Sequence, residues 1–488
     1  MAITDESVVN VALPSMQRDL STTLPAMQWV VNAYILSMSA LLLIGGAAAD
    51  RFGRRLMFLV GIAIFAAASL ACGFAPTVEV LAGSRAIQGL GAALLIPCSL
   101  AIIGAAFDES ERGAAIGIWS GASAIAAGIA PLVGGWLVDH TSWRAIFLIN
   151  PVLALIGIWI AQRHVPESRD PEAPQSLDWR GALLVLAGLG SLVYGLIAAS
   201  TQGWGDFAVL ASLGVGAMLL VAFIAVEKFG SAPMMPLGLF RSRTFSGVNL
   251  LTLLLYGALG GAFFFLPFLL IQVHGFSATA TGAVFLPFTL ILGVLSRWSG
   301  GLVDRVGARG PLVLGPAIAG AGFAFLAAVS DDGRYWMLLT PMIVLGLGMA
   351  ITVAPLTTTV VNAVPARQTG LASGINNAVA SVAGLLAIAV LGTTALITLN
   401  RALDRKLASS TLLPEVSQVI DEARGGFVMP RMPENLSAED QRAAQVTIQT
   451  VYAETIRRVL FLAAGLALAG ALAAALMIEP GMRARDPP

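Results

Sequence analysis

The chain has 488 residues, 57% of them hydrophobic and only 11% charged, with 28 basic side chains balanced by 28 acidic ones. A soluble domain carries about 25% charged residues, so this sequence lacks the polar side chains to cover a water-exposed surface, and its zero net charge offers nucleic acid no basic patch. Two cysteines, three scattered histidines and the lack of any G-x-x-x-x-G-K stretch exclude a disulfide framework, an evident metal site and a P-loop.

The class left is an all-α integral membrane protein. The opening segment from Ile3 to Pro14 is apolar but short. At about 1.5 Å per residue, residues 1–16 span roughly 24 Å, against a hydrocarbon core of about 30 Å. Complete candidate spans follow near 28–49, 56–75, 79–106, 113–138, 143–162, 181–201, 207–227, 246–271, 279–300, 311–330, 335–361, 370–399 and 457–478. The organisation expected is an N-terminal unit over 1–163, two inserted helices with flanking loops over 164–243 and a second unit over 244–399. A long external loop over 400–456 and a last span with its tail over 457–488 complete it. Among the short loops, one alternate set holds Arg51, Arg54, Arg55, Arg112, Arg163, Arg241, Arg305 and Arg309, whereas the other holds Arg18, Arg144 and Arg334. The Arg-rich side is therefore expected to be cytoplasmic, with the C-terminus on that side.

Asp5 in the first segment is an acid at membrane depth if Pro14 marks the outer end of that span. Asn32 and Tyr34 follow in the second span. At its inner end comes G-x-x-x-D-R-x-G, formed by Gly46, Asp50, Arg51 and Gly53 and followed by Arg54 and Arg55. A carboxylate at the C-terminal end of a helix faces the negative end of the dipole. Asp50 therefore needs a cation from Arg51, Arg54 or Arg112, and such a cluster is suited to latch one conformation. In the fourth span Arg85 lies roughly 9 Å below the outer edge, with Gln88 one turn on. An Arg within a span costs about 2.5–3.5 kcal/mol on insertion scales, so it either snorkels to the interface or serves as a fixed charge biasing a proton site. Pro131, Gly134 and Gly135 bend the fifth span and permit close packing.

In the second half, Gly300, Asp304, Arg305 and Gly307 repeat the G-x-x-x-D-R-x-G pattern, which marks a duplicated bundle. Tyr256, Phe264, Asn376 and Asn377, together with Asn32, Tyr34 and Gln88, form an aromatic and amide set suited to bulky, greasy ligands. For any single Phe, lipid-facing or core packing is the more ordinary role. Residues 437–440 resemble a capping box that opens a helix toward the last span. The 400–456 connection reads as a solvated cap over the outer mouth, or as a docking surface for a periplasmic adaptor and outer-membrane channel.

On these residues the chain resembles the major facilitator superfamily, and within it the fourteen-span drug–proton antiporters of bacteria. Residues 46–55 match the superfamily's loop motif, and 300–309 match its repeat apart from Ala308. Residues 81–93 resemble the fourth-helix motif around Arg85. Residues 5–14 resemble the first-helix motif around Asp5, with Ser7 where Thr is usual. Pro131, Gly134 and Gly135 resemble the fifth-helix antiporter motif, with Ala126 and Ala130 in place of two glycines. Trp143, Arg144, Phe147, Asn150 and Pro151 also fit, as do Asp178, Trp179, Arg180 and Gly181 before the seventh span.

The resemblance implies two six-helix bundles related by a pseudo-twofold repeat, plus two inserted helices. It makes fourteen spans, the first truncated in this chain, with upstream residues expected to complete it. It implies export of amphiphilic drugs in exchange for protons by alternating access in the inner membrane, with Asp5 and Arg85 carrying proton coupling. Asp50, Arg51, Arg54, Arg112, Asp304 and Arg305 would form the conformational latch. It implies no cofactor and no enzymatic step. Two alternatives stay open: a proton-coupled or facilitative metabolite transporter, and a non-transporting subunit of an export complex.

Overall fold

In lipid a backbone amide has no water to bond, so an apolar segment must satisfy its own peptide groups, and a helix does so within one segment. The computed structural model describes residues 1–170, 177–230, 233–330, 333–365, 368–409, 414–432 and 436–479. The side chains of Arg112 and Asp304 lie outside what is described. Among the described residues thirteen helices are long and apolar enough to cross a membrane, as the sequence led us to expect, and a shorter helix precedes them.

The first bundle contains α1 (Ala2–Asp19), α2 (Leu24–Phe52), α3 (Arg54–Gly73), α4 (Val78–Ala106), α5 (Glu109–His140) and α6 (Ala145–His164). The inserted pair is α7 (Trp179–Gln202) and α8 (Phe207–Phe229). The second bundle contains α9 (Arg243–Phe268), α10 (Ala278–Val284), α11 (Leu286–Ser299), α12 (Leu302–Val306), α13 (Arg309–Val329), α14 (Tyr335–Asn362), α15 (Thr369–Ser409), α16 (Pro414–Glu422) and α17 (Ala438–Met477). Helix starts follow the side chains able to cap them. Thr77, Asp178, Asp206, Ser242, Ser277 and Ser437 each accept a backbone N–H of the helix they open.

The repeat is visible in the packing. α13 and α11 both pack on α14 as α3 and α2 pack on α4, and α9 packs on α15 as α1 packs on α5. The bundles meet along α2 and α15, along α5 with α10 and α11, and along α1 and α9. The inserted α7 rests against both α2 and α15, so the hairpin flanks one seam between the bundles.

Two expectations need correction. Pro14 lies inside α1, which continues to Asp19. Trp143 Nε1 and Arg144 Nη1 donate to the Asp19 carboxylate, at 2.8 and 2.5 Å, and tie that end of α1 to α6. The 400–456 stretch is largely helical rather than a loop. α15 and α17 are 41 and 40 residues long, about 60 Å each at helical rise, and so overrun a bilayer core. They continue because apolar spacing continues: Leu399, Ala402 and Leu403 on one, and Ala444, Ile448 and Val451 on the other, are buried.

Candidate functional site

The first bundle encloses a polar cluster assembled from five helices. α4 presents Arg85 and Gln88 on one face, as an i, i+3 pair must be. The guanidinium pairs with Asp5 of α1 through Nη1. Nη1 also donates to Gln88 Oε1 at 2.7 Å, and Nε donates to the Val30 carbonyl of α2 at 3.1 Å. The other Asp5 oxygen accepts from Gln88 Nε2 at 3.0 Å and from Asn150 Nδ2 of α6 at 3.3 Å. Ser69 of α3 accepts from both amides and its hydroxyl donates to the Phe147 carbonyl at 3.0 Å. Tyr34 covers the cluster, its ring centroid 4.2 Å from the Arg85 guanidinium carbon and its hydroxyl bonded to the Ala2 carbonyl at 3.0 Å.

Arg85 is 0% exposed and Asp5 is 4% exposed, so this Arg does not snorkel. Burying two charges is tolerable here because each is paired and the spare lone pairs are hydrogen-bonded. One donor is left over: Arg85 Nη2 is buried without a partner.

The loop joining α2 to α3 turns at Gly53, whose φ of +121° lies in the region that side chains disfavour. A Cβ there would also lie 2.8 Å from the Glu167 carboxylate. Glu167 holds that place to accept the N–H groups of Arg55 and Leu56, both at 3.0 Å, and so caps α3. Arg54 binds Asp50 through Nε and Nη2 at 3.0 and 2.9 Å. Backbone bonds from Arg54 to Ser168 and from Asp170 to Asp50 brace the loop further. Arg51 stacks its guanidinium 5.1 Å from the Phe52 ring. Gly46 touches Pro97 of α4 across a distance that would accept a Cβ. In the repeat loop, Gly307 has φ +77°, Arg309 donates to the Ala475 carbonyl of α17, and Arg305 is exposed.

Pro131, Gly134 and Gly135 place α5 between the bundles. A Cβ on Gly134 would meet Val8 of α1 at 2.6 Å, and one on Gly135 would collide with the Ala278 carbonyl of α10. Gly282 returns the contact, lying against the Pro131 carbonyl. At the end of α5 Asp139 accepts the Ala278 N–H, the Thr279 N–H and the Thr279 hydroxyl at 3.0, 2.7 and 2.6 Å. On the other seam Gln28 Nε2 donates to the Ile388 carbonyl at 2.6 Å. The bundles are therefore tied together at the end opposite Gly53. Phe427, beyond α16, plugs that end between Phe265, Phe268 and Tyr452, and the Tyr452 hydroxyl donates to the Gly426 carbonyl at 2.6 Å. Gly426 itself lies against Gln17 and Leu24 of the first bundle.

The seven residues expected to line a ligand cavity fall in different places. Tyr34 and Gln88 belong to the Asp5–Arg85 cluster. Asn32 is fully buried and neither of its amide atoms is bonded. Asn376 donates to Asn249 Oδ1 at 3.1 Å and to Thr252 Oγ1 at 2.8 Å. Asn377 is exposed and Tyr256 is half-buried. Phe264 is buried in an aromatic ladder with Phe265 and Phe268 rather than on an open wall. Sequence reasoning missed the roles of Ser69, Asp139, Glu167 and Asn249. A polar residue inside an apolar run was the available signal for Ser69 and Asn249.

The family model described as Major Facilitator Superfamily matches residues 1–388. The Tetracenomycin C resistance and export protein of Streptomyces glaucescens is 33% identical over 434 residues, covering 88% of this chain and 81% of that protein. The Puromycin resistance protein pur8 of Streptomyces alboniger is 37% identical over 398 residues, covering 80% and 79%. Multidrug resistance protein Stp of Mycobacterium tuberculosis is 33% identical over 441 residues, covering 88% and 82%. Among solved structures, a bacterial homolog to the human lysosomal transporter Spinster, inward-facing and unoccupied, aligns with a TM-score of 0.65 at 18% identity. It covers 98% of this chain and 96% of that one, a likeness of fold alone.

Proposed function

The chain belongs to the major facilitator superfamily, and from that premise we propose that it exports amphiphilic small molecules from the cell in exchange for protons by alternating access. The observation that carries this reading is the buried Asp5–Arg85 pair with its amide partners Gln88 and Asn150. The names of the relatives, which are resistance and export proteins, favour drugs and antibiotics as cargo. In this reading the Arg-rich loops and the C-terminus face the cytoplasm.

The cycle runs as follows. A proton from outside neutralises Asp5 and releases Arg85 from its ion pair. Gln88 and Asn150 then face a carboxylic acid in place of a carboxylate, and the packing of α1 against α4, α5 and α9 changes preference. Substrate and proton need only bias one two-state element in opposite directions. Asp50 with Arg54 holds the cytoplasmic loop in one of the two states, and α5 serves as the sliding surface. In this reading the substrate is a lipophilic small molecule.

The test is gradient-driven extrusion of a lipophilic dye in membrane vesicles. Extrusion should require the proton gradient and should be lost in Asp5→Asn, together with dye-triggered proton movement. Gradient-driven extrusion by Asp5→Asn at the unmodified rate would overturn the assignment.

A further inference from the structure

The inserted hairpin does not lie flush against the bundles. Between α7 and α8 on one side and α2, α9 and α15 on the other is a cavity of about 430 Å³, which takes no part in the cycle above. Its walls come from the half of each helix nearer the Arg-rich end, which on the orientation proposed above is the cytoplasmic leaflet. Met235 and Phe240, in the connection from α8 to α9, floor it. Leu43 of α2 reaches Gly374 of α15 and closes the side toward the interior of the bundles. On the outer side α7 is held to both bundles, by Leu36 of α2 against Gly190 and by Thr393 of α15, whose hydroxyl donates to the Leu196 carbonyl. The remaining side lies between α8 and α9, where Ile224 and Leu250 on the rim are 49% and 38% exposed.

The walls offer nothing to a polar guest. Their polar side chains are Ser39, Ser246 and Asn249, and each is already bonded within the protein. The Ser39 hydroxyl donates to the Ile35 carbonyl and the Ser246 hydroxyl to the Phe240 carbonyl at 2.7 Å. Asn249 Nδ2 donates to the Phe245 carbonyl at 2.8 Å, while its Oδ1 accepts from Asn376. A buried water needs several polar partners, and a charged group placed here would be neither paired nor solvated. A space of this size is not left unfilled in a close-packed interior. Lipid tails are as apolar as leucine, and they are what stands outside the open side, because α8 also turns Met218 and Val221 outward, 62% and 67% exposed.

We propose that an acyl chain of a membrane phospholipid occupies this cavity as a resident ligand, entering between α8 and α9 with its head left at the leaflet surface. The chain fills the gap between the hairpin and the bundles and so forms part of the hairpin's attachment; it is not cargo. It touches α2 of the first bundle and α9 and α15 of the second, and it seats only while these helices keep the spacing described here. A ligand that binds one arrangement better than another favours that arrangement, so the lipid supports this one. Such a ligand requires only that the chain lie in a bilayer, whatever the cargo and its direction.

The full-length chain in nanodiscs of phosphatidylethanolamine and phosphatidylglycerol, with a diazirine near the end of a fraction of the acyl chains, tests this. After illumination, label should appear on Leu189 and Phe223, which are 5% and 7% exposed and out of reach of lipid that only surrounds the protein. It should appear on the outward Met218 and Val221 as well. Label confined to Met218 and Val221 would overturn the proposal. Val379→Trp, which fills the cavity, and Leu250→Trp, which narrows its mouth, should each lose the label at Leu189 and Phe223 and keep it at Met218 and Val221. The second variant supplies the answer if the first does not fold. Unchanged inner labelling in a folded variant would overturn the proposal too. So would removal of the inner labels from the unmodified chain by the dye Hoechst 33342, which would mark the cavity as a cargo site. Because no transport is measured, these results stand apart from the fate of Asp5→Asn.

Discussion

The two bundles share a packing scheme but not an interior. In the first, an acid and an arginine are shut away together and surrounded by Gln88, Asn150 and Ser69. In the second, α9 and α15, the counterparts of α1 and α5, hold Asn249, Thr252 and Asn376, with the uncharged Asn376 amide donating to the other two. Among the described residues, the ion pair buried inside the helices belongs to the first copy. A neutral amide network looks the same to a proton at any pH of interest. A carboxylate is a proton acceptor. On the proposed cycle the first bundle senses and the second follows by shape.

The sharpest way to break this contrast is Arg85→Ala set beside Asn376→Ala. Removing one partner of a buried ion pair costs about 3–5 kcal/mol, and a lost buried hydrogen bond with its orphaned acceptor costs about 1–3 kcal/mol. Arg85→Ala should therefore abolish gradient-driven dye extrusion and lower the unfolding midpoint markedly in detergent, while Asn376→Ala should leave coupling in place and lower the midpoint less. Equal loss of coupling in the two variants would erase the distinction between the halves.

A second comparison sets Gly53→Ala against Gly307→Ala. Both glycines have positive φ, and a non-glycine residue in such a region costs about 1–3 kcal/mol. Gly53 is in addition crowded by the Glu167 carboxylate, so its substitution should lower the thermal midpoint by more than backbone strain alone and should uncap α3. A larger effect at Gly307 would mean that the segment following α6 does not brace the first loop.

The smallest expected stability effect is at Asp50. Its pairing with Arg54 is an i, i+4 contact with side chains 35% and 20% exposed, worth about 0.3–0.5 kcal/mol. Asp50→Ala should leave the unfolding midpoint nearly unchanged. If Asp50 acts as a latch, turnover should still fall severalfold with dye affinity unaltered. Turnover that falls no further than the stability loss accounts for would reduce the ion pair to a helix-end contact.

The spans were legible because lipid imposes long apolar runs, and the two loop turns were legible because glycine is required where φ is positive. Asp5 and Arg85 stood out because ionic groups are rare inside spans, although their meeting joins residues 80 positions apart and no local pattern encodes it. Asn150 and Ser69 join the same cluster from two further helices. Glu167 was invisible for the opposite reason: it lies in a polar stretch where one more acid attracts no notice, and its importance comes from the empty side of Gly53. The extension of α15 past residue 399 was misjudged because charged residues such as Arg401 and Asp404 were weighed as loop signals, while the buried face at Leu399, Ala402 and Leu403 carried the helix on; the early start of α17 was legible in the capping box at 437–440.

At the far seam, the receptor for Asp139 is the start of α10, mainly its backbone N–H groups, rather than a basic side chain. Exchange of charges across that joint therefore cannot rescue a lost Asp139, as it would for an arginine–carboxylate clasp. Drift at position 278 leaves the clasp intact as long as a helix begins there. The closure is written into where a helix starts, which makes it hard to see in sequence and hard to remove by a single change on the α10 side.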